Sequence, residues 1–170
     1  MGACLGISGA YLASVSTRPR FVTLEGSASL ARAAEMTLAE VTSHATVITA
    51  PFETGLRDAI ELFAAEMQPI EVAYIDGHHD EAATIEYVRA LLPHLAHGSL
   101  LILDDIHLYS EMWRAWQAII RTAGFSAALN VGRFGLLVWE GGDDVARHYD
   151  LSRYTGWWPV GSSRRDSGGW

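Results

Sequence analysis

Two apolar runs that end in carboxylate limit what this chain can fold into more than any other feature. Val72-Ala73-Tyr74-Ile75 leads into Asp76, and Leu100-Leu101-Ile102-Leu103 leads into Asp104-Asp105. Runs without polar alternation mark strands covered on both faces, as in the parallel sheets of α/β proteins. Ligands of such sheets gather outside the carboxyl ends of the strands, where both runs place their acids. His79, three residues after Asp76, adds a group able to take a proton. A hard cation beside a general base is one chemistry this edge can host.

Around these runs the pattern alternates between strand and helix. Residues 21–24 read as a strand ending on Glu25-Gly26, 30–41 as a helix, 45–49 as a strand stopped by Pro51, and 56–67 as a helix. Asp80 is placed to cap a helix with Ile85, Val88, Leu91 and Leu92 on one side. Residues 110–122 carry Met112, Trp113, Trp116, Ile119 and Ile120 at spacings of three and four, a core stripe. Residues 125–131 and 134–139 then form an antiparallel pair around Gly132-Arg133. The alternation predicts an α/β fold: a Rossmann-like, doubly wound, mostly parallel sheet closed by that pair.

A chain of 170 residues with 49% hydrophobic content suits one domain. No apolar run approaches the roughly 20 residues that cross a bilayer, and the opening lacks the charged start of a signal peptide, so no membrane and a cytoplasmic location are expected. A formal net charge of -8 argues against nucleic acid as the main partner and for a small molecule. Cys4 is the sole cysteine, and all 12 basic residues are arginine. Intramolecular disulfides, Schiff-base chemistry on lysine and a P-loop lysine are thereby excluded. The composition of 141–170 shifts to Gly, Ser, Arg, Asp and aromatics. Its aromatics, Tyr149, Tyr154, Trp157, Trp158 and Trp170, read either as a surface for bases or a partner or, as expected here, as part of a loosely ordered arm packing on the domain formed by 1–140.

Four motifs occur in a telling order: Gly2-Ala3-Cys4-Leu5-Gly6-Ile7-Ser8 with Tyr11-Leu12-Ala13, then Thr23-Leu24-Glu25-Gly26, then Tyr74-Ile75-Asp76-Gly77-His78-His79, then Leu103-Asp104-Asp105-Ile106. Together they resemble the class I S-adenosylmethionine-dependent methyltransferases, most of all the catechol-type O-methyltransferases and the small bacterial proteins related to them. The resemblance covers roughly residues 2–140. It implies methyl transfer from S-adenosylmethionine to a small-molecule acceptor, most of all to oxygen.

The resemblance also implies roles. Gly2, Ala3, Gly6 and Ser8 would cradle the methionine end of the cofactor, since small residues let backbone approach a ligand; a purely structural turn is the other reading of the loop. Glu25 would accept the ribose hydroxyls, as acids at this distance from a glycine loop do in dinucleotide folds. Phe52 and Glu53 would hold the adenine, with Phe52 equally readable as core. Asp76 would contact the cofactor and join Asp104 and Asp105 in binding a Mg²⁺-like ion, which would relieve the repulsion among three acids. Asp105 stands where the catechol-type enzymes usually carry Asn, and acids that only cap helices or touch cofactor are the alternative. His79 is the expected general base, with His78 and His107 in reserve; imidazole, with a reference pKa of about 6.5, suits that work near neutrality.

One departure stands out. Relatives precede the glycine loop with an apolar strand in the middle of the sheet, whereas this chain opens directly on the loop, so a sheet lacking its first, central strand is expected. A cofactor-binding or interaction module without turnover, truncated or inactive, is accordingly the rival reading.

Overall fold

The computed structural model describes residues 1–14 and 20–155, so Trp157, Trp158 and Trp170 lie outside the described residues. Strand and helix alternate as α1 (Ile7–Ser14), β1 (Phe21–Glu25), α2 (Ala28–Ala39), β2 (Ala45–Thr49), α3 (Phe52–Ala65), β3 (Ile70–Ile75), α4 (Glu81–Leu91), β4 (Leu95–Leu103), α5 (Ser110–Ile119), β5 (Phe125–Val131), β6 (Phe134–Trp139) and β7 (Arg147–Asp150).

β1 and β2 pair in parallel, and a five-stranded sheet runs β3-β4-β6-β5-β7. β3 and β4 are parallel, in a register that sets Ile75 beside Leu103, and β6 is antiparallel to both β4 and β5. β1 and β3 are not paired with one another. Residues 1–3 lie between their carboxyl ends: Gly2 and Ala3 donate to the Leu24 carbonyl, and the Asp76 N–H donates to Met1 O at 3.1 Å. Among the described residues no strand pairs with both β1 and β3. The chain moves outward from β1 to β2 and then returns to β3. Right-handed crossovers consequently put α2 on one face and α3, α4 and α5 on the other.

Local sequence explains the elements. The Asp80 side chain accepts from the Ala83 N–H at 2.9 Å and starts α4. Of the side read as apolar, Val88 and Leu91 are buried and Ile85 and Leu92 only partly so; Thr84 and Tyr87 complete the buried stripe, so Tyr87 points inward. α5 buries Met112, Ala115, Trp116 and Ile119. Its Trp116 packs against β6 at Gly135, where a Cβ would sit only 2.5 Å from the indole. Leu101, Leu103, Ala128 and Leu137 have no exposed surface and form the centre of the core.

The segment after residue 140 contributes structure that its composition does not announce. Arg147–Asp150 forms β7, parallel to β5 with Asn130 beside Asp150, and all four of its residues are exposed. Among the described residues no helix is long and apolar enough to cross a membrane.

Candidate active site

β3 and β4 end side by side, and their acids meet at one sheet edge. Beyond β3 the chain turns through His78 (φ 66°) and His79 (φ 46°), and beyond β4 through Asp105 (φ 54°). Three non-glycine residues in the left-handed region are costly, and such backbone gathers where surrounding structure enforces it. The turn carries His79 back over the edge, where its Nε2 lies 3.8 Å from Asp76 Oδ1 and 3.5 Å from Asp105 Oδ2. Asp76, His79 and Asp105 each offer a ligand atom, all within 4.8 Å of one another. His79 Nε2 is buried and makes no hydrogen bond to the described residues.

Asp104 stands apart from that trio. It is 2% exposed and accepts from the Tyr74 hydroxyl, from its neighbour's backbone N–H at 2.7 Å, and from Arg133 through Nε and through Nη2 at 3.1 Å. Arg133 Nε also lies 3.0 Å from Asp105 Oδ1. The expected three-acid cation site is thus divided, with Asp104 held by a guanidinium and Asp76 and Asp105 facing His79. Burial, then the charge on Asp104, raise the Asp76 pKa above the ordinary carboxylate value. Burial and the bond to Asp104 push the Tyr74 hydroxyl well up, so it serves as a donor.

The glycine loop lies against the end of β1. A Cβ on Gly2 (φ +85°) would fall 1.7 Å from the Asp76 carbonyl oxygen, so only glycine fits there. Gly6 packs on Ala34 in the same manner. The N–H groups of Gly2 and Ala3 are spent on the Leu24 carbonyl. The loop donor that reaches outward is Cys4 N–H, which binds Glu25 Oε2 at 2.8 Å. Ser27 N–H binds Glu25 Oε1 at 3.0 Å. Glu25 is thereby oriented at the strand end with unused lone pairs on both oxygens. Ser8, on the first turn of α1, lines the cavity between β1 and β3.

Phe52 and Glu53 open α3 and join residues the sequence did not single out. Glu53 Oε1 accepts from the Tyr87 hydroxyl at 3.1 Å, and His78 Nδ1 lies 2.8 Å from that same hydroxyl. Phe52 packs edge-on to Tyr87 at 6.1 Å. Burial, then the bond to Glu53, push the Tyr87 pKa up to about 12. His78 is committed to this cluster. His107 stacks on Trp113 at 4.5 Å and lies 3.3 Å from Asn130 Oδ1, which also receives the Gly132 N–H. Of the three histidines considered, His79 is the one over the acid edge. Tyr74, Tyr87 and Arg133 are the site residues that sequence reasoning missed. Tyr87 is one place off the apolar stripe read for its helix, and Arg133 carries only a turn signal.

Comparison with known proteins places the domain and its fold. A methyltransferase domain family matches residues 1–106, and the chain belongs to that family. Its fold is shared with the O-methyltransferase from Bacillus cereus solved in complex with SAH, at 21% identity and a TM-score of 0.65, over 82% of this chain and 71% of that one. It is shared also with the O-methyltransferase TomG from Streptomyces achromogenes, solved in complex with SAM, at 18% identity and a TM-score of 0.67, again over 82% and 71%. A search of curated proteins finds no match. The architecture is the Rossmann-like fold of the S-adenosylmethionine-dependent methyltransferases.

Proposed function

We propose that this domain transfers the sulfonium methyl of S-adenosylmethionine to an oxygen of a small-molecule acceptor. The observation that carries the reading is that residues 1–3 join the carboxyl end of β1, where Glu25 is fixed by two backbone donors, to that of β3, where Asp76 begins the Asp76–His79–Asp105 edge. In this reading residues 1–140 form the transfer domain, working in the cytoplasm, and the segment beyond them serves the sheet edge through β7.

Each residue has a task. Gly2, Ala3 and Gly6 shape the loop beside the methionine end, and Ser8 opens the helix behind it. Glu25 accepts the ribose hydroxyls. Phe52 offers the adenine an apolar face, and Glu53, held by Tyr87, supplies a polar edge. His79 Nε2 takes the acceptor's hydroxyl proton as an oxygen lone pair attacks the methyl carbon. The carbon–sulfur bond breaks, and the products are a methyl ether and S-adenosylhomocysteine. The protein's contribution is alignment and proton removal, because the methyl group arrives activated.

The trio fits a divalent cation of the Mg²⁺ type through the carboxylates of Asp76 and Asp105, since such ions are held by one or two carboxylates and water. A cation there would lower the pKa of a bound acceptor hydroxyl. Asp104, already bound to Arg133, contributes charge balance rather than a ligand.

Titration calorimetry with S-adenosylhomocysteine alongside a methyl-transfer assay tests the reading. Glu25→Ala should weaken binding by about tenfold to a hundredfold, as expected for losing a charge-assisted hydrogen bond of roughly 1.5–3 kcal/mol. Unchanged affinity would remove Glu25 from the ribose. Binding without turnover toward any hydroxyl acceptor would favour the cofactor-binding module over the enzyme.

A further inference from the structure

β7 ends the five-stranded sheet with an edge to which nothing pairs among the described residues. Its register with β5 runs without a break from Arg147 beside Ala127 to Asp150 beside Asn130. All four of its residues are exposed, and no proline, lysine or bulge blunts the strand, the devices by which solvent-facing edges usually avoid partners. Apolar surface is exposed around it as well, at Val145, Tyr149 and Leu151. The turn that follows, Ser152–Tyr154, packs back on β5.

Hydrogen-bond parity fixes which backbone groups this edge offers. In a parallel ladder one residue turns both its N–H and its C=O toward its neighbour, and the next turns both away. Leu151 N–H donates to Asn130 O at 2.7 Å, so Arg147 and Tyr149 also face β5, and His148 and Asp150 turn their backbone groups outward. A strand laid antiparallel on this edge must set outward-facing residues opposite one another. For two copies of β7 related by a two-fold axis, three registers satisfy that condition. An axis through His148 opposes imidazole to imidazole, and one through Asp150 opposes carboxylate to carboxylate. An axis through Tyr149 sets His148 of each copy opposite Asp150 of the other, so that unlike groups meet twice.

We infer that β7 is a self-complementary edge at which two copies of this chain pair, antiparallel and two-fold symmetric about Tyr149, joining their five-stranded sheets into one. Side chains support the register. Asp150 Oδ1 is taken by the Ser152 N–H and hydroxyl at 3.0 and 2.7 Å, which leaves Oδ2 for an imidazole N–H. At the axis the two Tyr149 side chains meet in the close, non-hydrogen-bonded pairing, on the opposite face of the strand. Arg147 lies opposite the second copy's Leu151, whose exposed side chain its methylene stem can cover. A ladder of four residues is short for an interface, so the dimer should form at micromolar rather than nanomolar concentration. The inference rests on β7 and holds whatever the domain catalyses.

Sedimentation from about 1 µM to about 1 mM, with amide exchange followed by NMR at both ends of that range, tests this. Dimers should appear as concentration rises, and exchange at His148 and Asp150 should slow about tenfold, while Tyr149, already bonded to β5, should not change. His148→Asp sets carboxylate against carboxylate and should weaken the dimer about tenfold; adding Asp150→His restores unlike pairing in reversed order and should recover most of the loss. His148→Pro removes an outward N–H while sparing the bonds to β5, so it should abolish the dimer and leave the monomer folded. Should these variants fail to fold, exchange in the unaltered chain decides. A monomer at every concentration, or a dimer without slowed exchange at His148 and Asp150, overturns the inference. Protection of those two amides that does not depend on concentration overturns it as well, and assigns the edge to the chain's own residues.

Discussion

Asp76 meets opposing demands: its position suits a cofactor or cation contact, while its surroundings disfavour its charge. Burial and Asp104 raise its pKa in the folded state, so folding holds the proton more tightly than the unfolded chain does. Stability from this group is full in acid and is lost as pH rises through the interval between the unfolded value, about 3.9, and the raised one. Asp76→Asn should therefore raise Tm at pH 7 in chelator, with the gain vanishing below about pH 4, while methyl transfer falls. Thermal melts across that range check the sign. His79 differs in kind, because its Nε2 has no hydrogen bond to give up and faces two carboxylates. His79→Ala should lower kcat by about a hundredfold to ten-thousandfold and leave S-adenosylhomocysteine affinity nearly unchanged. The deficit should shrink at high pH, where an acceptor hydroxyl ionises unaided. Equal rates at neutral pH, with chemistry rate-limiting, would remove His79 from proton transfer.

The β5–β6 hairpin shows how an element distant in sequence governs the acid edge. Its turn residue Arg133 grips three consecutive residues, accepting the Ile106 N–H at its carbonyl and binding Asp104 and Asp105 through its side chain. The hairpin thus sets which face of Asp105 looks toward His79. Arg133→Met leaves Asp104 buried beside a dipole and no cation, a situation that costs about 2–3 kcal/mol. Tm should fall by about 5–10 °C for a chain this size. Adding Asp104→Asn should recover much of the loss, and a double-mutant cycle by chemical denaturation measures the coupling. Additive effects would mean that the pair does not act as a unit.

For the molecule as a whole, the Met1 amino group, buried where residues 1–3 bridge the ends of β1 and β3, makes the stability of the 170-residue chain sensitive to pH. The Met1 ammonium has a pKa of about 6 when folded against an ordinary 8.0. Below pH 6 both states carry the proton and the folded one bears the full burial penalty. Between 6 and 8 the folded state has shed it first, so stability rises with pH by on the order of 2 kcal/mol, and above 8 the penalty is gone. Urea unfolding at pH 5.5 and 8.5 should show this rise, and acetylating the amino group should flatten it. The sequence by itself determined the alternating elements, the antiparallel pair and the acids at strand ends, because strand runs, caps and turns are written over a few neighbouring residues. Asp80 capping α4 and the pairing of 125–131 with 134–139 are of that kind. Only the tertiary structure decided that Asp104 belongs to Arg133, that Tyr87 turns inward to Glu53 and His78, that Gly2 and Ala3 give their N–H groups to Leu24, and that Arg147–Asp150 pairs with β5. The physical reason is shared. Each depends on which strands lie side by side and on where a long side chain finds its counter-charge, and no local pattern encodes a partner tens of residues away.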